Sequence, residues 1–438
     1  MKRIIKICEL LLFIFFVVLL IFTNDKLSTI ISIPILLLIY YIVKKLNIKN
    51  YAMFIFVLAL LIRIVSIIYL KVEIVDDFKT MLDASKMLIK GNISFINNFY
   101  FKYFSYQLGH VFYQALLLKI YSSVLFLKIV NSITTSLIVL FIYLISKNLF
   151  KEETARFISL VYLLYFYPLY LNSVLTNQHI PALLYLIIIY LLFNKKSSIK
   201  LYIIIGVLLS LSNFLRTESI VFTMGILIYN LISITKNNYK TIIKNISLMF
   251  IIYFALNTLI SSVALISPIN MKLKNNAPLW KFYCGLSYKH NGLYNAEDEQ
   301  VFFNSNNQKE LLKERIKEEN IKIPVLFLKK EVILWTQTNY DLRIKNSISN
   351  ILESIILHIN QGYLNIILIL FVISLYPFKK TKNDKLLLIK IIIGLYICIY
   401  SIIEISPRYS YVLHMLIFIC IGELIDRFFK NSKSLKKE

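Results

Sequence analysis

Long apolar runs alternate with short polar connections along this chain, and two polar connections are far longer than the rest. A hydrocarbon core of about 30 Å takes roughly 20 apolar residues as helix. On that measure the candidate spans are 4–22, 28–43, 51–70, 124–146, 157–171, 178–193, 200–215, 217–234, 243–266, 362–378, 386–403 and 408–426, twelve in all. The long polar segments are 71–123 and 267–361. A further apolar stretch, Gln107 to Tyr121, is shorter and carries His110, Gln114 and Lys119, so the count is twelve or thirteen. Inside the polar segments, helices are expected over Phe78 to Ile89, Asn307 to Asn320 and Pro324 to Thr336. The last carries Lys329, Lys330 and Trp335 and is read as interfacial, because Trp favours the headgroup layer and Lys can snorkel. The aromatic run Tyr162 to Tyr170 is read as packing and belt.

Connection charge sets the sidedness, because short cytoplasmic loops collect Lys and Arg. Segments with three or more basic residues include Lys2/Arg3/Lys6, Lys44/Lys45/Lys49, Lys147/Lys151/Arg156, Lys195/Lys196/Lys200, Lys236/Lys240/Lys244, Lys379/Lys380/Lys382/Lys385 and the C-terminal Arg427 to Lys437. The short connections between them hold at most one. The two sets alternate only if 107–121 does not cross, so that stretch is expected to lie in the outer interface. Both termini then lie inside, and 71–123 and 267–361 outside. Four units follow: an N-terminal hairpin, 1–50; a core, 51–266, carrying the first outer loop 71–123; an outer domain, 267–361; and C-terminal spans with a basic tail, 362–438. The first run, Ile4 to Phe22, has a basic start but no small-residue cleavage site, and is read as a retained signal anchor.

Composition agrees. With 58% hydrophobic residues, 17% charged and a mean hydropathy of +0.69 over 438 residues, the chain carries more apolar surface than one globular core can bury, as expected of an all-α polytopic membrane protein. The net charge of +25 does not point to nucleic acid, since the basic residues fall in short clusters between apolar runs, where they set topology and meet membrane lipids. Cys8, Cys284, Cys398 and Cys420 have no CxxC spacing, which excludes a cysteine metal motif.

The unusual polar residues fall on the expected outer face. Asp76-Asp77 opens the first outer loop with Asp83 further along, and Lys102 sits in the aromatic run Phe99 to Phe104. Thr176-Asn177-Gln178-His179, Arg216-Thr217-Glu218, and Glu404 with Arg408-Tyr409 occupy three more connections. Cations at span ends can hold a lipid phosphate at headgroup depth, Arg in bidentate fashion. A nearby carboxylate can take the proton of an attacking hydroxyl. A phosphate leaving group, with a second pKa of about 6, needs no separate general acid. Taken singly, each feature has a plainer explanation: an N-cap, an interfacial anchor, a snorkelling lysine, a satisfied histidine. Their coincidence on one face favours chemistry there. Asp77 is the expected base, with Asp76 capping the following helix or assisting, and Glu404 orienting Arg408. Arg216, Arg408 and Lys102 are the expected phosphate ligands.

The segments Asp77-Phe78-Lys79-Thr80-Met81, Tyr106-Gln107-Leu108-Gly109 with Tyr113-Gln114, Leu175 to His179, Asn213-Phe214-Leu215-Arg216, Asn291 to Glu299, Lys329-Lys330 to Trp335, and Glu404 with Pro407-Arg408-Tyr409 follow one another in the order seen in a known group. Over about 51–415 the chain resembles bacterial membrane glycosyltransferases of the dolichyl-phosphate-mannose-protein mannosyltransferase type. These share the class-C glycosyltransferase (GT-C) fold with lipid A aminoarabinose transferases. The resemblance implies inverting transfer of one sugar from a polyprenyl-phosphate donor to an extracytoplasmic glycan, lipid or protein acceptor, with the catalytic acid of the first outer loop falling on Asp77 or Asp76. Two departures stand out. Asp-Asp replaces the usual Asp-Glu, and the second outer loop carries Thr176 to His179 in place of an acidic residue, so Gln178 or His179 is the expected supporting group alongside Tyr409.

No cofactor is expected; beyond Asp76-Asp77 there is no DxD-type cluster for a divalent metal. Two other classes compete. A polysaccharide polymerase or ligase would use polyprenyl-diphosphate oligosaccharides. A transporter or flippase would carry ionisable mid-span residues and related halves, whereas the spans here read as nearly all apolar and no repeat is visible.

Overall fold

The computed structural model describes residues 2–23, 26–70, 72–337, 350–376 and 384–434. Among these residues the chain is helical with no strand, and a backbone bridge joins Leu293 to Ile405. Ile is a modest helix former in water, but in lipid a segment must satisfy its own N–H and C=O groups, and a helix does so. The many asparagines are put to use at helix starts: the side chains of Asn50, Asn98, Asn295 and Asn307 accept from the N–H groups of Met53, Tyr100, Asp298 and Glu310.

Each of the twelve expected spans contains helix, and the helices differ in length. Among the described residues five are long and apolar enough to cross a membrane: Lys26–Lys45, Tyr51–Tyr69, Val124–Leu149, Tyr239–Ile266 and Glu353–Leu375. A sixth is reached if Glu152–Leu163 and Phe166–Ser173, bent by 48° at their junction, form one broken span. His179–Asn194, Ile199–Leu215, Ser219–Ile232 and Leu386–Ile402 are apolar but shorter. At 1.5 Å per residue these four reach about 21–26 Å. Leu37, Leu38, Ile251 and Leu259 present apolar side chains outward from the long helices, as a lipid-facing surface would.

The interior departs from the sequence reading in three ways. Two spans hold a buried cation: Arg63 is 0% exposed, and Lys390 contacts Glu9 at 2.6 Å and Glu423 at 3.4 Å. Tyr162, Tyr165 and Tyr167 are buried in the core and form no belt. Lys330 and Trp335, expected at an interface, are both fully buried. The Lys330 ammonium donates to the carbonyls of Gly285, Ser401 and Ile403 at 2.7–2.9 Å. It thereby straps the helix Ile323–Thr336 to the connection that follows Leu386–Ile402.

The second long segment has a small core of its own, Ala277, Trp280, Tyr283, Cys284 and Phe302, against which Tyr103 and Phe104 of the first segment pack. Arg315 pairs with Asp298 at 2.6 Å and lies over the Tyr283 ring at 3.9 Å. The helix Asn350–Leu375 begins before the expected boundary at 361. The cluster Lys379 to Lys382 and the last residues of the basic tail lie outside the described residues.

Candidate functional site

Five connections meet at one end of the bundle. The chain leaves Tyr51–Tyr69 and enters a new helix at Asp76, whose backbone adopts φ +52°. Asp tolerates this left-handed conformation better than most residues. Asp76 is the first helical residue and is exposed; the cap position belongs to Val75, with no side-chain cap bond, so Asp76 does not cap the helix as expected. The kink turns Asp77 toward the last connection, where its Oδ2 accepts from Arg408 Nη2 at 3.1 Å. Both side chains are partly exposed, 39% for Asp77 and 28% for Arg408.

Arg408 is positioned from two sides. Its guanidinium lies over the Phe78 ring at 5.1 Å, and its carbonyl accepts from Gln178 Nε2 at 2.8 Å. Gln178 comes from a tight connection in which Leu175 sits at φ +59°. A leucine there is strained, because its Cβ crowds the following carbonyl, and such strain is typical of functional connections. Asn177, its near neighbour, accepts from Arg216 Nη1 at 2.9 Å and donates to Gln107 Oε1 at 3.0 Å. Arg216 also forms a close ion pair with Glu218. Burial works against the Arg216 charge, but Glu218 outweighs it and holds the guanidinium above its usual value.

Tyr409 is the hub. It is buried, stacked on Tyr400 at 5.7 Å, and ringed by three cations: Arg216 at 5.0 Å, Lys281 at 5.8 Å and Arg408 at 5.8 Å from its ring. Glu404 is buried just before it, and its N–H donates to the Lys281 carbonyl at 2.7 Å. Burial raises the Glu404 carboxyl above the ordinary range, with Lys281 and Arg408 pulling the other way. The Tyr106 oxygen, against the cost of burial, and then Tyr409 and Glu404 hold Lys281 above its usual value. Arg216, Lys281 and Arg408 thus face Glu218, Glu404 and Asp77.

Of the expected residues, the structure brings Asp77, Arg216, Arg408, Gln178, Glu404 and Tyr409 together. His179 lies deeper, buried, its Nδ1 within 3.1 Å of the Tyr411 hydroxyl. Lys102 is not tied into the cluster: it is exposed, its ammonium 6.0 Å from the Tyr103 ring and its carbonyl accepting from Asn276. The exposed Asp76 offers its carbonyl to the Thr80 hydroxyl, which donates to it at 3.2 Å. Lys281 was missed, although a lysine inside Trp280-Lys281-Phe282-Tyr283 is the same signal as Lys102 among its aromatics.

Among the described residues no group of three or more His, Cys, Asp or Glu side chains is gathered as a metal site. No protein-family model matches the chain, and no curated protein matches it. Function therefore rests on what this geometry can do. It offers a partly exposed carboxylate beside a guanidinium, backed by two further cations.

Proposed function

We propose that the chain is an integral membrane glycosyltransferase with a twelve-span GT-C architecture. In this reading it transfers one sugar, with inversion, from a polyprenyl-phosphate donor to a glycan, lipid or protein acceptor outside the cytoplasm. The observation that carries the reading is the Asp77–Arg408 pair, joined across the length of the chain beside Arg216 and Lys281.

The pairing supplies an order of events. A donor phosphate competes with Asp77 for Arg408, and bidentate binding to a guanidinium favours the phosphate. Asp77, released, accepts the acceptor's hydroxyl proton as that oxygen bonds to the anomeric carbon. The bond from that carbon to the phosphate oxygen breaks, and its electron pair leaves on the phosphate, where Arg408 and Arg216 stabilise the charge. Gln178 holds Arg408 by its carbonyl, and Tyr409 keeps the cations in register.

The test is sugar release by purified protein from a panel of labelled polyprenyl-phosphate monosaccharides with acceptor extracts, wild type beside Asp77→Asn and Asp76→Asn. Asp77→Asn is expected to lower turnover by about a hundredfold or more, and Asp76→Asn by much less. Equal wild-type and Asp77→Asn turnover would overturn the mechanism. One feature favours a transporter as the second reading: ionisable groups, Arg63 and Lys390, are buried within spans, and the Arg63 helix packs against a broken helix. Substrate uptake into proteoliposomes, without any glycosylated product, would select it.

A further inference from the structure

Arg63 lies within the helix Tyr51–Tyr69, away from the Asp77 cluster, and is 0% exposed. Its Nε donates to Thr135 Oγ1 at 2.9 Å and its Nη1 to the Ala59 carbonyl at 3.3 Å, while Nη2 has no partner. The titratable groups that act on it are the hydroxyls of Tyr162 and Tyr411, and among the described residues no carboxylate joins them. A guanidinium stays charged at any physiological pH, so this span encloses a positive charge without a counter-charge. Such an arrangement is costly unless something neutralises it.

Two neighbouring groups are donors without acceptors, and Thr135 links one of them to Arg63. Thr135 places its hydroxyl 3.1 Å from Asn172 Oδ1, which leaves Asn172 Nδ2 without a partner, as is Ser173 Oγ. Thr135, Asn172 and Ser173 are all 0% exposed. Asn172 and Ser173 end the second half of the broken span, where the chain turns into the strained Leu175. One helical turn before Thr135, Asn131 lines a narrow crevice with His110, Thr176, Asn177 and His179.

We propose that Arg63, Asn172 and Ser173, with Thr135 joining the first two, form an intramembrane binding site for a small monovalent inorganic anion, chloride being the abundant one. One guanidinium with neutral donors balances a single negative charge, whereas a phosphate dianion would leave a surplus charge buried. Full enclosure excludes a lipid headgroup or a sugar. Water could occupy the free donors but would leave the charge uncompensated.

The experiment uses full-length protein in detergent, exchanged into gluconate. Radiolabelled chloride is titrated in equilibrium dialysis at constant ionic strength, and the thermal midpoint is followed in parallel. Wild type is expected to bind one chloride per chain saturably, with a midpoint that climbs as the site fills. Asn172→Leu removes one donor to an ionised ligand and is expected to weaken binding about tenfold. Arg63→Met is expected to abolish binding; should that variant not fold, Asn172→Leu carries the test. Absence of saturable binding in wild type, or undiminished binding in Asn172→Leu, overturns the site. Neither result depends on whether the chain transfers sugar.

Discussion

Glu404 is where a single residue carries two opposing demands. It is buried, which favours the neutral acid, yet it lies among Lys281 and Arg408, which favour the anion; burial wins, and the carboxyl is raised. The sign follows from linkage. A carboxyl whose folded value is raised stabilises the fold fully below its ordinary value of about 4.3, and that contribution is lost as pH rises through the raised value. Under the proposed reaction, activity runs the other way, since an ionised Glu404 would balance Lys281 and Arg408 while a donor phosphate is held. The pH profile of sugar release should therefore carry an acid limb above the ordinary carboxylate range, and Glu404→Gln should remove that limb while thermal stability below pH 5 stays near wild type. An unchanged acid limb in Glu404→Gln would assign it to another group. Glu404, Arg408 and Asp77 are legible in the sequence because a charge between two apolar runs has few places to go. Lys281 is not, because it lies in a long polar segment where one lysine among many carries no contrast. Arg63 is the harder lesson: averaged hydropathy hides a single guanidinium in an otherwise apolar span, and only three dimensions reveal that it has no carboxylate partner.

Between elements, the contact that matters most for the site is made by an absent side chain. Gly109 opens the helix Leu108–Ile120 directly against the end of Ile199–Leu215, so that a Cβ there would lie 1.7 Å from the Phe214 carbonyl oxygen. Only glycine permits that approach, and the two flanking residues that profit are Gln107 and Arg216, linked through Asn177. Gly109→Ala should force the helices apart, cost about 1–3 kcal/mol as an overpacking change, and lower transfer by loosening Arg216. Gly394→Ala is the control, because a methyl group there would meet nothing within 4 Å. A Gly109→Ala protein with wild-type melting and turnover would show that the helices can yield at no cost. Helix existence is legible from apolar runs, since each expected span contains helix. Helix length and bending are not: hydropathy assigns 157–171 to one span, whereas the chain breaks at Leu164-Tyr165 and turns by 48°. The sequence does mark that break, in a residue that averaged hydropathy passes over: Pro168 suits the first turn of Phe166–Ser173 and would disrupt one continuous helix.

At the scale of the molecule, two polar ends are held by different chemistry. At one end Arg156 donates to the carbonyls of Leu46 and Ile48, Lys385 donates to the Phe193 carbonyl, and Asp426 accepts from the Lys151 N–H, so that connections rich in lysine are tied together. At the other end Asp77, Gln178, Arg216 and Arg408 make the cross-links, and the short connections there carry few lysines. Since short lysine-rich connections stay in the cytoplasm, this asymmetry is the ground for proposing that the Asp77 cluster lies outside, where a lipid-linked sugar donor must meet its acceptor under the proposed reaction. Cysteines introduced singly at Lys289 and at Lys196, both exposed, report the two ends, in a background with Cys8, Cys284, Cys398 and Cys420 changed to serine. In intact cells a membrane-impermeant maleimide should label Lys289→Cys, and label Lys196→Cys only after permeabilisation. The opposite pattern would place the cluster in the cytoplasm and remove the ground for an extracytoplasmic acceptor, because a soluble nucleotide sugar would then be as accessible to Arg216 and Arg408 as any lipid-linked one.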